Sequence, residues 1–395
     1  MAPKYRLLIL FAISLIVTYF VYWPILRIAK EKGIVDNPNA RKLQRIPVPV
    51  LGGLAVFCGI VVGLCFFKTM LSYTSLFAVV TVMVVMLYVG TIDDILNLSP
   101  MLRFGIELIA AALLIFGTHF TISNFQGLWG IRHLSLYIAI PFTVLASVGI
   151  FNAVNMIDGV DGLVSGFCIV ACTMFGLIFF LSYDYSFAAL AVVTVGALIP
   201  FFLHNVFGNE TKMFIGDGGS MMLGTILAAM VAALCRSRTD YTMFIDHQFG
   251  LIAFSMSVVA IPVFDTLRVM IYRIMHRQSP FHPDKNHLHH LFIELGFSHF
   301  VTTMWEIILE VFVVAVWAVT WYLNASVSVQ FYAVFAASML ATFGVAGYLK
   351  YHISKKTRMY SILREYGRLT DFSDKSIWKK IQRFIDNGPF SREGK

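Results

Sequence analysis

Residues 134–151 read LSLYIAIPFTVLASVGIF, residues 152–161 read NAVNMIDGVD, and residues 162–182 read GLVSGFCIVACTMFGLIFFLS. Two apolar runs, each long enough to cross a membrane as a helix, flank a short segment rich in amides and carboxylates. Asn152, Asn155, Asp158 and Asp161 recur every three residues, a spacing that on a helix puts neighbours on adjoining turns of one face. Gly159 and Gly162 allow a tight turn or the close approach of a ligand. Asn and Gly also mark ordinary loops between membrane helices. This density of acceptor oxygens between apolar walls points instead to ion or phosphate chemistry.

The same alternation extends over the whole chain. Of 395 residues, 58% are hydrophobic and only 13% charged, and the mean hydropathy is +0.77. A soluble protein of this length needs more charge to cover its surface. Apolar runs at about 7–28, 50–70, 75–92, 101–118, 134–151, 162–182, 186–203, 219–235, 249–271, 302–323 and 329–349 are each long enough for a ~30 Å hydrocarbon layer. The expected fold is all-α and integral to the membrane, with about eleven transmembrane helices over residues 1–350 and a basic tail over 351–395. Lys4 and Arg6 before the first run imitate a signal peptide, but the run is too long and lacks a small-residue cleavage site, so a retained helix is expected. Cys58, Cys65, Cys168, Cys172 and Cys235 all lie in apolar runs without a Cys-x-x-Cys pair, and read as small apolar side chains rather than disulfides or zinc ligands.

Placing the N-terminus outside and the C-terminus in the cytoplasm collects most of the 30 Lys and Arg on the inner side. The net charge of +8 then reflects orientation and anionic membrane lipids, and nucleic acid is not an expected partner. In the first inner loop, Arg41 and Lys42 serve either as a topology signal or as phosphate contacts, and Gly52 and Gly53 present bare backbone for something to pack against. Asp93 and Asp94 are adjacent carboxylates at a membrane boundary with apolar neighbours. Something positive should compensate them, and a cation site is favoured over a solvated pair. Arg103 and Glu107, one turn apart, most simply pair with each other. Residues 119–133 alternate as a small outer hairpin.

The inner loop at 204–218 ends Gly216-Asp217-Gly218-Gly219-Ser220 and opens a helix. Glycines free amides there to meet an anion, Ser220 can cap the helix or touch phosphate, and Asp217 beside them reads as part of a phosphate–metal site rather than a plain cap. Asp265 and Arg268 are placed to form an internal ion pair. The run Lys285-Asn-His287-Leu-His289-His290 invites zinc, but no cysteine accompanies it and the remaining ligands are carboxylates that suit magnesium. Lys285 and the imidazoles are better placed as donors to a diphosphate. In the tail, Ile377, Trp378, Ile381, Phe384 and Ile385 share one helical face against Lys375, Lys379, Lys380 and Arg383, which suits anionic headgroups or another subunit.

With this topology the acidic loops, Arg41-Lys42 and the histidine cluster all fall on one side, an arrangement suited to a divalent cation bridging phosphates. The alternative, a cation-coupled transporter, calls for ionisable groups at mid-depth and two related halves.

Asp36-x-Pro with Arg41-Lys42 and Gly52-Gly53, Asp93-Asp94, Asn152-x-x-Asn155-x-x-Asp158-Gly-x-Asp161-Gly, Gly216-Asp217-x-Gly-Ser220, and His287-x-His289-His290 follow one another from about Asp36 to His290. In this order they resemble the polyprenyl-phosphate N-acetylhexosamine-1-phosphate transferases. The histidine stretch is similar to the branch that makes undecaprenyl-diphospho-GlcNAc. Gln44 departs from the pattern, since many relatives carry His there. The resemblance implies transfer of a phospho-N-acetylhexosamine from a UDP-sugar to undecaprenyl phosphate at the cytoplasmic face of a bacterial inner membrane, starting cell-envelope glycans. It also implies Mg²⁺, with Mn²⁺ as its substitute, held by Asp217 and Asp94. Asp93 would deprotonate or orient the lipid phosphate. Asn152, Asn155, Asp158 and Asp161 would hold nucleotide or support the metal, and Gly218 and Ser220 would contact substrate. Lys285, His287, His289 and His290 would neutralise the transferring phosphate. Direct attack by the lipid phosphate and a phospho-enzyme route through an aspartate both fit, and a homodimer is compatible with either.

Overall fold

The computed structural model describes residues 2–36, 46–67, 73–236, 248–280, 285–372 and 375–388. Each of the eleven apolar runs contains a helix, but two of them depart from simple spans. The helices are α1 (Pro3–Glu31), α2 (Gly52–Cys65), α3 (Tyr73–Leu96), α4 (Pro100–Thr118), α5 (Leu136–Met156), α6 (Leu163–Leu181), α7 (Tyr185–Phe207) and α8 (Gly216–Leu234). They continue as α9 (Leu251–Val258), α10 (Ala260–Met275), α11 (Leu288–Glu294), α12 (His299–Tyr322), α13 (Val327–Met339), α14 (Val345–Lys355), α15 (Arg358–Leu369) and α16 (Ser376–Asp386). A π turn over Leu340–Gly344 makes α13 and α14 one rod.

Among the described residues, nine helices are long and apolar enough to cross a membrane, or ten if α9 and α10 form one bent span. The expectation of about eleven therefore falls short at α2, whose 14 residues rise only about 21 Å. The run at 249–271 is bent by 75° between α9 and α10. The break has a local cause. Pro262 has no amide to donate near the start of α10, and the Ile261 amide donates instead to Glu310 Oε2 of α12 at 2.9 Å. Large apolar side chains such as Phe77, Leu145 and Tyr137 lie exposed on outward faces, as lipid contact requires.

Helix α8 is the hub: every residue from Gly216 to Leu234 except Asp217 is buried, against α3, α5, α2 and α6. Glycine-to-glycine contact makes this possible. A Cβ on Gly53 would stand 2.4 Å from the Gly219 Cα, and one on Gly90 would stand 2.4 Å from the Gly218 Cα. The bare backbone expected at Gly52-Gly53 thus receives the first turn of α8. Gly52 and Gly53 also donate to the Phe214 and Ile215 carbonyls at 2.9 and 2.8 Å.

Among the described residues, two small ladders complete the fold. The expected outer hairpin forms as β1 (Asn124–Leu128) with β2 (Ile131–His133), antiparallel. Val35–Asp36 also pairs antiparallel with Val48–Pro49, closing the base of the loop that carries Arg41, Lys42 and Gln44, residues that lie outside those described. The rod containing α14 continues past residue 350 to Lys355 before the tail begins.

Substituting Gly90 with Val should lower the unfolding temperature in detergent by several degrees, because the added side chain meets backbone that cannot yield and overpacking costs about 1–3 kcal/mol. Gly105→Ala, where a Cβ meets nothing within 4 Å, should unfold no earlier than wild type. Equal unfolding temperatures for the two variants would contradict the glycine seam.

Candidate active site

One guanidinium organises the polar end of the bundle. Ser99 caps α4, its Oγ accepting from the Leu102 amide at 3.3 Å, and so sets Arg103 in the first turn of that helix. Arg103 Nη1 lies 3.2 Å from Asp93 Oδ2 and 3.8 Å from Asp217 Oδ2, while Nε donates to Glu107 Oε1 at 3.2 Å. Nη2 donates a short hydrogen bond to Asn155 Oδ1. Asn155 Nδ2 in turn donates to Asp217 Oδ1 at 2.8 Å and to Ser220 Oγ at 2.9 Å. Asn152 Nδ2 donates to Glu107 Oε2 and to the Val148 carbonyl. The expected Arg103–Glu107 pair is present. Arg103 also gives a positive partner to Asp93, the first of the two adjacent aspartates.

The two aspartates do different work. Asp93 is buried, and its Oδ1 accepts from the Leu98 amide at 2.7 Å, closing the turn after α3. Asp94 reaches α8 instead: its oxygens accept from the Asp217 amide at 3.0 and 3.2 Å, a carboxylate on a helix N-terminus. The amides expected to meet an external anion are therefore already engaged by Asp94. The Ser220 hydroxyl is buried and donates to the Gly216 carbonyl at 3.2 Å. Gly218 packs on Leu87 and Thr91 of α3.

Beyond α5, residues 157–162 form a turn that brings in the rest. Asp158 accepts no hydrogen bond from a described side chain. Burial, then the charges of Asp217, Asp94 and Asp161, push its carboxyl well above the usual range. Asp161 is held the other way. Burial alone would raise it, but His299 Nδ1 at 2.7 Å and Lys212 Nζ at 2.6 Å outweigh burial and lower it. Thr303 Oγ1 donates to the Asp161 carbonyl at 2.8 Å, and the Gly162 amide donates to Asn205 Oδ1 at 2.6 Å. Gly159 lies flat against His289, where a Cβ would stand 2.7 Å from Nε2.

That contact joins the histidine cluster to the acidic loop. His287 Nδ1 lies 2.8 Å from Asp265 Oδ2, and Arg268 Nη2 is 2.7 Å from Asp265 Oδ1. The expected Asp265–Arg268 pair therefore has a third member, a carboxylate that orients the imidazole. Asp265 also accepts from the Leu288 amide at the start of α11. The His287 and His289 rings stack at 5.6 Å, and those of His289 and His290 lie 4.3 Å apart. Burial, then the neighbouring His290 and His287, push His289 well below its ordinary pKa, so it sits as a neutral ring. Lys285 is exposed, and Asn286 beside it accepts from Lys350 at 3.2 Å.

The structure thus brings together Asp93, Asp94, Asn152, Asn155, Asp158, Asp161, Asp217 and the histidines, and adds Arg103, Glu107, Lys212 and His299. Arg103 and Glu107 were legible only as a local pair, and Lys212 only as a member of its loop. Glu306 and Glu310, buried in the middle of α12, were not singled out from the sequence at all. Among the described residues no three His, Cys, Asp or Glu side chains are arranged to hold a metal ion by themselves. Asp217, its side chain 34% exposed against 11% for Asp93, is the more accessible carboxylate beside Arg103.

A family model described as "Glycosyl transferase family 4" matches residues 76–235. A probable undecaprenyl-phosphate N-acetylglucosaminyl 1-phosphate transferase of Bacillus subtilis is 30% identical over 296 residues, covering 74% of this chain and 79% of that one. A decaprenyl-phosphate N-acetylglucosaminephosphotransferase of Mycobacterium tuberculosis is 32% identical over 305 residues, covering 72% and 75%. An undecaprenyl-phosphate alpha-N-acetylglucosaminyl 1-phosphate transferase of Escherichia coli K12 is 28% identical over 296 residues, covering 73% and 77%.

Arg103→Met should destabilise the protein by about 3–5 kcal/mol, because it strands Asp93, Glu107 and Asp217 without their counter-charge. Arg103→Lys should recover little, since an ammonium cannot fork to carboxylates and Asn155 together. Thermal unfolding in detergent checks both, and a wild-type profile for the lysine variant would contradict the arrangement. Asp161→Asn should cost about 2 kcal/mol near neutral pH. Because the folded-state pKa of Asp161 is lowered, that difference is fully present above about pH 3.9 and fades as pH falls through the lowered value. Unfolding of both proteins from pH 7 downward measures it, and a difference that vanishes above pH 5 would contradict the assignment.

Proposed function

Because the chain belongs to the family of polyprenyl-phosphate N-acetylglucosamine-1-phosphate transferases, we propose that it transfers GlcNAc-1-phosphate from UDP-GlcNAc to undecaprenyl phosphate. The observation that carries this is the convergence of Asp93, Asp94, Asn155 and Asp217 around Arg103, with the 157–162 turn and His289 alongside. A water-soluble nucleotide and a lipid phosphate can meet only at a membrane boundary, and every one of these residues lies at or near a helix end or in a connecting turn. Nucleotide sugars are cytoplasmic, so this end faces the cytoplasm, with the N-terminus outside.

Magnesium fits the donor set. Asp217 and Asp94 offer carboxylate oxygens in a cluster where Arg103 is outnumbered by carboxylates, and would hold the ion together with substrate oxygens. The ion, when bound, supplies charge neutralisation to the diphosphate. The chain's own residues do the rest. Asn155 and Arg103 hold the Asp217 carboxylate in place, and Asp93, its lone pairs engaged by Leu98 and Arg103, orients more than it abstracts. Asp158, whose carboxyl is pushed upward by burial and by the neighbouring aspartates, is the group placed to exchange a proton with the lipid phosphate or the departing UMP. An oxygen of the lipid phosphate attacks the β-phosphorus, the bond from that phosphorus to the bridging oxygen breaks, and UMP leaves with the electron pair. Lys285 and His290 would neutralise charge on the transferring phosphate. One phosphoanhydride replaces another, so the reaction runs in both directions.

Purified protein should therefore exchange labelled UMP into UDP-GlcNAc when supplied with undecaprenyl phosphate and Mg²⁺, and chelation should stop it. Asp217→Asn should lower the exchange by about 100-fold or more. Absence of exchange with every UDP-amino-sugar would remove the transferase function, and near-normal exchange by Asp217→Asn would remove Asp217 from the metal.

A further inference from the structure

Among the described residues, helix α16 meets the bundle along one edge. Trp378 packs on Phe207 and Phe300, with ring centroids 4.8 and 5.5 Å apart. Asp386, in its last turn, accepts from the amides of Asn209 and Thr211 at 3.1 and 3.2 Å and from the Thr211 hydroxyl at 2.8 Å. The other edge is uncovered: Ile377 is 73% exposed and Phe384 80%, with Ile381 between them. Their i, i+4, i+7 spacing puts the three on one face. Lys375, Lys380 and Arg383 are exposed beside them. Phe207 ends α7 and Phe300 opens α12, both long and apolar enough to cross a membrane, so Trp378 packs where two candidate spans end on the same side.

We infer that α16 lies in the membrane surface at the site end, its apolar side chains among acyl chains and its cations on anionic phospholipid headgroups, and that this docking holds the Asn209–Lys212 loop in register for the active site. The helix has the flanking cations and the narrow apolar face of an interfacial helix, and each basic residue near an anionic surface adds attraction. A second copy of the chain on the same face would bring Lys375, Lys380 and Arg383 against their own images, which like-charge repulsion opposes.

The coupling runs through consecutive atoms. Thr211 gives its amide and hydroxyl to Asp386, its carbonyl accepts from Tyr22 at 2.6 Å, and its hydroxyl lies 3.1 Å from His204 Nδ1. The next residue is Lys212, which holds Asp161. A helix held by lipid thus fixes the peptide that carries Lys212, making Asp386 a positioning residue that acts through Thr211.

The activity arm of the test rests on the transferase function and the exchange arm does not. The full-length protein is placed in nanodiscs of phosphatidylcholine alone or with phosphatidylglycerol added, and amide hydrogen exchange of 376–386 and 209–212 is followed beside UMP exchange. Phosphatidylglycerol should slow hydrogen exchange in both segments and raise UMP exchange several-fold. The double variant Lys380→Glu, Arg383→Glu should lose both effects while matching wild type in phosphatidylcholine. Asp386→Asn should keep the lipid protection of 376–386 but lose it at 209–212, together with the gain in rate. Unchanged exchange of 376–386 on adding phosphatidylglycerol overturns the docking, as does protection that appears in detergent on raising protein concentration, which assigns the face to a second copy. Retention of the 209–212 effect by Asp386→Asn overturns the coupling. If no lipid supports UMP exchange, the transferase function fails and the hydrogen-exchange outcomes still decide the docking.

Discussion

Negative charge buried at the end of a helix bundle has to be balanced by something, and in this protein the balance is struck at Arg103. Its fork reaches Asp93, Glu107, Asp217 and Asn155, four residues from three other positions in the bundle and one on its own helix. In a low-dielectric setting, each of these contacts is worth far more than on a wet surface, and the loss of any is correspondingly costly. The cluster can exist only because α3 and α8 approach within backbone contact. Gly90 against Gly218 sets that distance, and at that distance Asp94 can take the amide of Asp217. Packing and electrostatics therefore specify the same geometry.

The carboxylates that remain are sorted by their partners. Asp161 is held ionised by Lys212 and His299, whereas Asp158, three residues away and with no hydrogen bond from a described side chain, is pushed upward by burial and by the neighbouring aspartates. Two carboxyls on one turn are thereby pushed in opposite directions by their surroundings. The histidine cluster follows the same logic. Asp265 fixes His287, while His289 is a buried neutral ring on which Gly159 rests. Such a turn cannot shift without disturbing the imidazoles.

Much of this could be read from residue order. The all-helical class follows from apolar runs of spanning length. The meeting of Asp93, Asp94, Asn155 and Asp217 follows from their all falling on one side of the same membrane. What could not be read was partner choice. Arg103 and Glu107 are four residues apart and do pair, so nothing local revealed that the same guanidinium also serves α3, α5 and α8. Length was misleading at 50–70, where an apolar run continues past the end of a 14-residue helix. It misled again at 249–271, where a distant glutamate, Glu310, receives an amide at the bend. The amides of α8 looked open to an external anion because the anion that takes them, Asp94, lies more than a hundred residues earlier in the chain.

In the proposed function Asp94 and Asp217, brought together by the glycine seam and steadied by Arg103, would hold the divalent ion that neutralises the sugar-nucleotide diphosphate. Crystals grown with Mn²⁺ and UDP-GlcNAc, measured for anomalous scattering, test it most directly. One anomalous peak bonded to an Asp94 and an Asp217 oxygen and to the diphosphate is the predicted result. A peak held by the His287–His290 cluster, or a diphosphate bound with no metal at either aspartate, would contradict it.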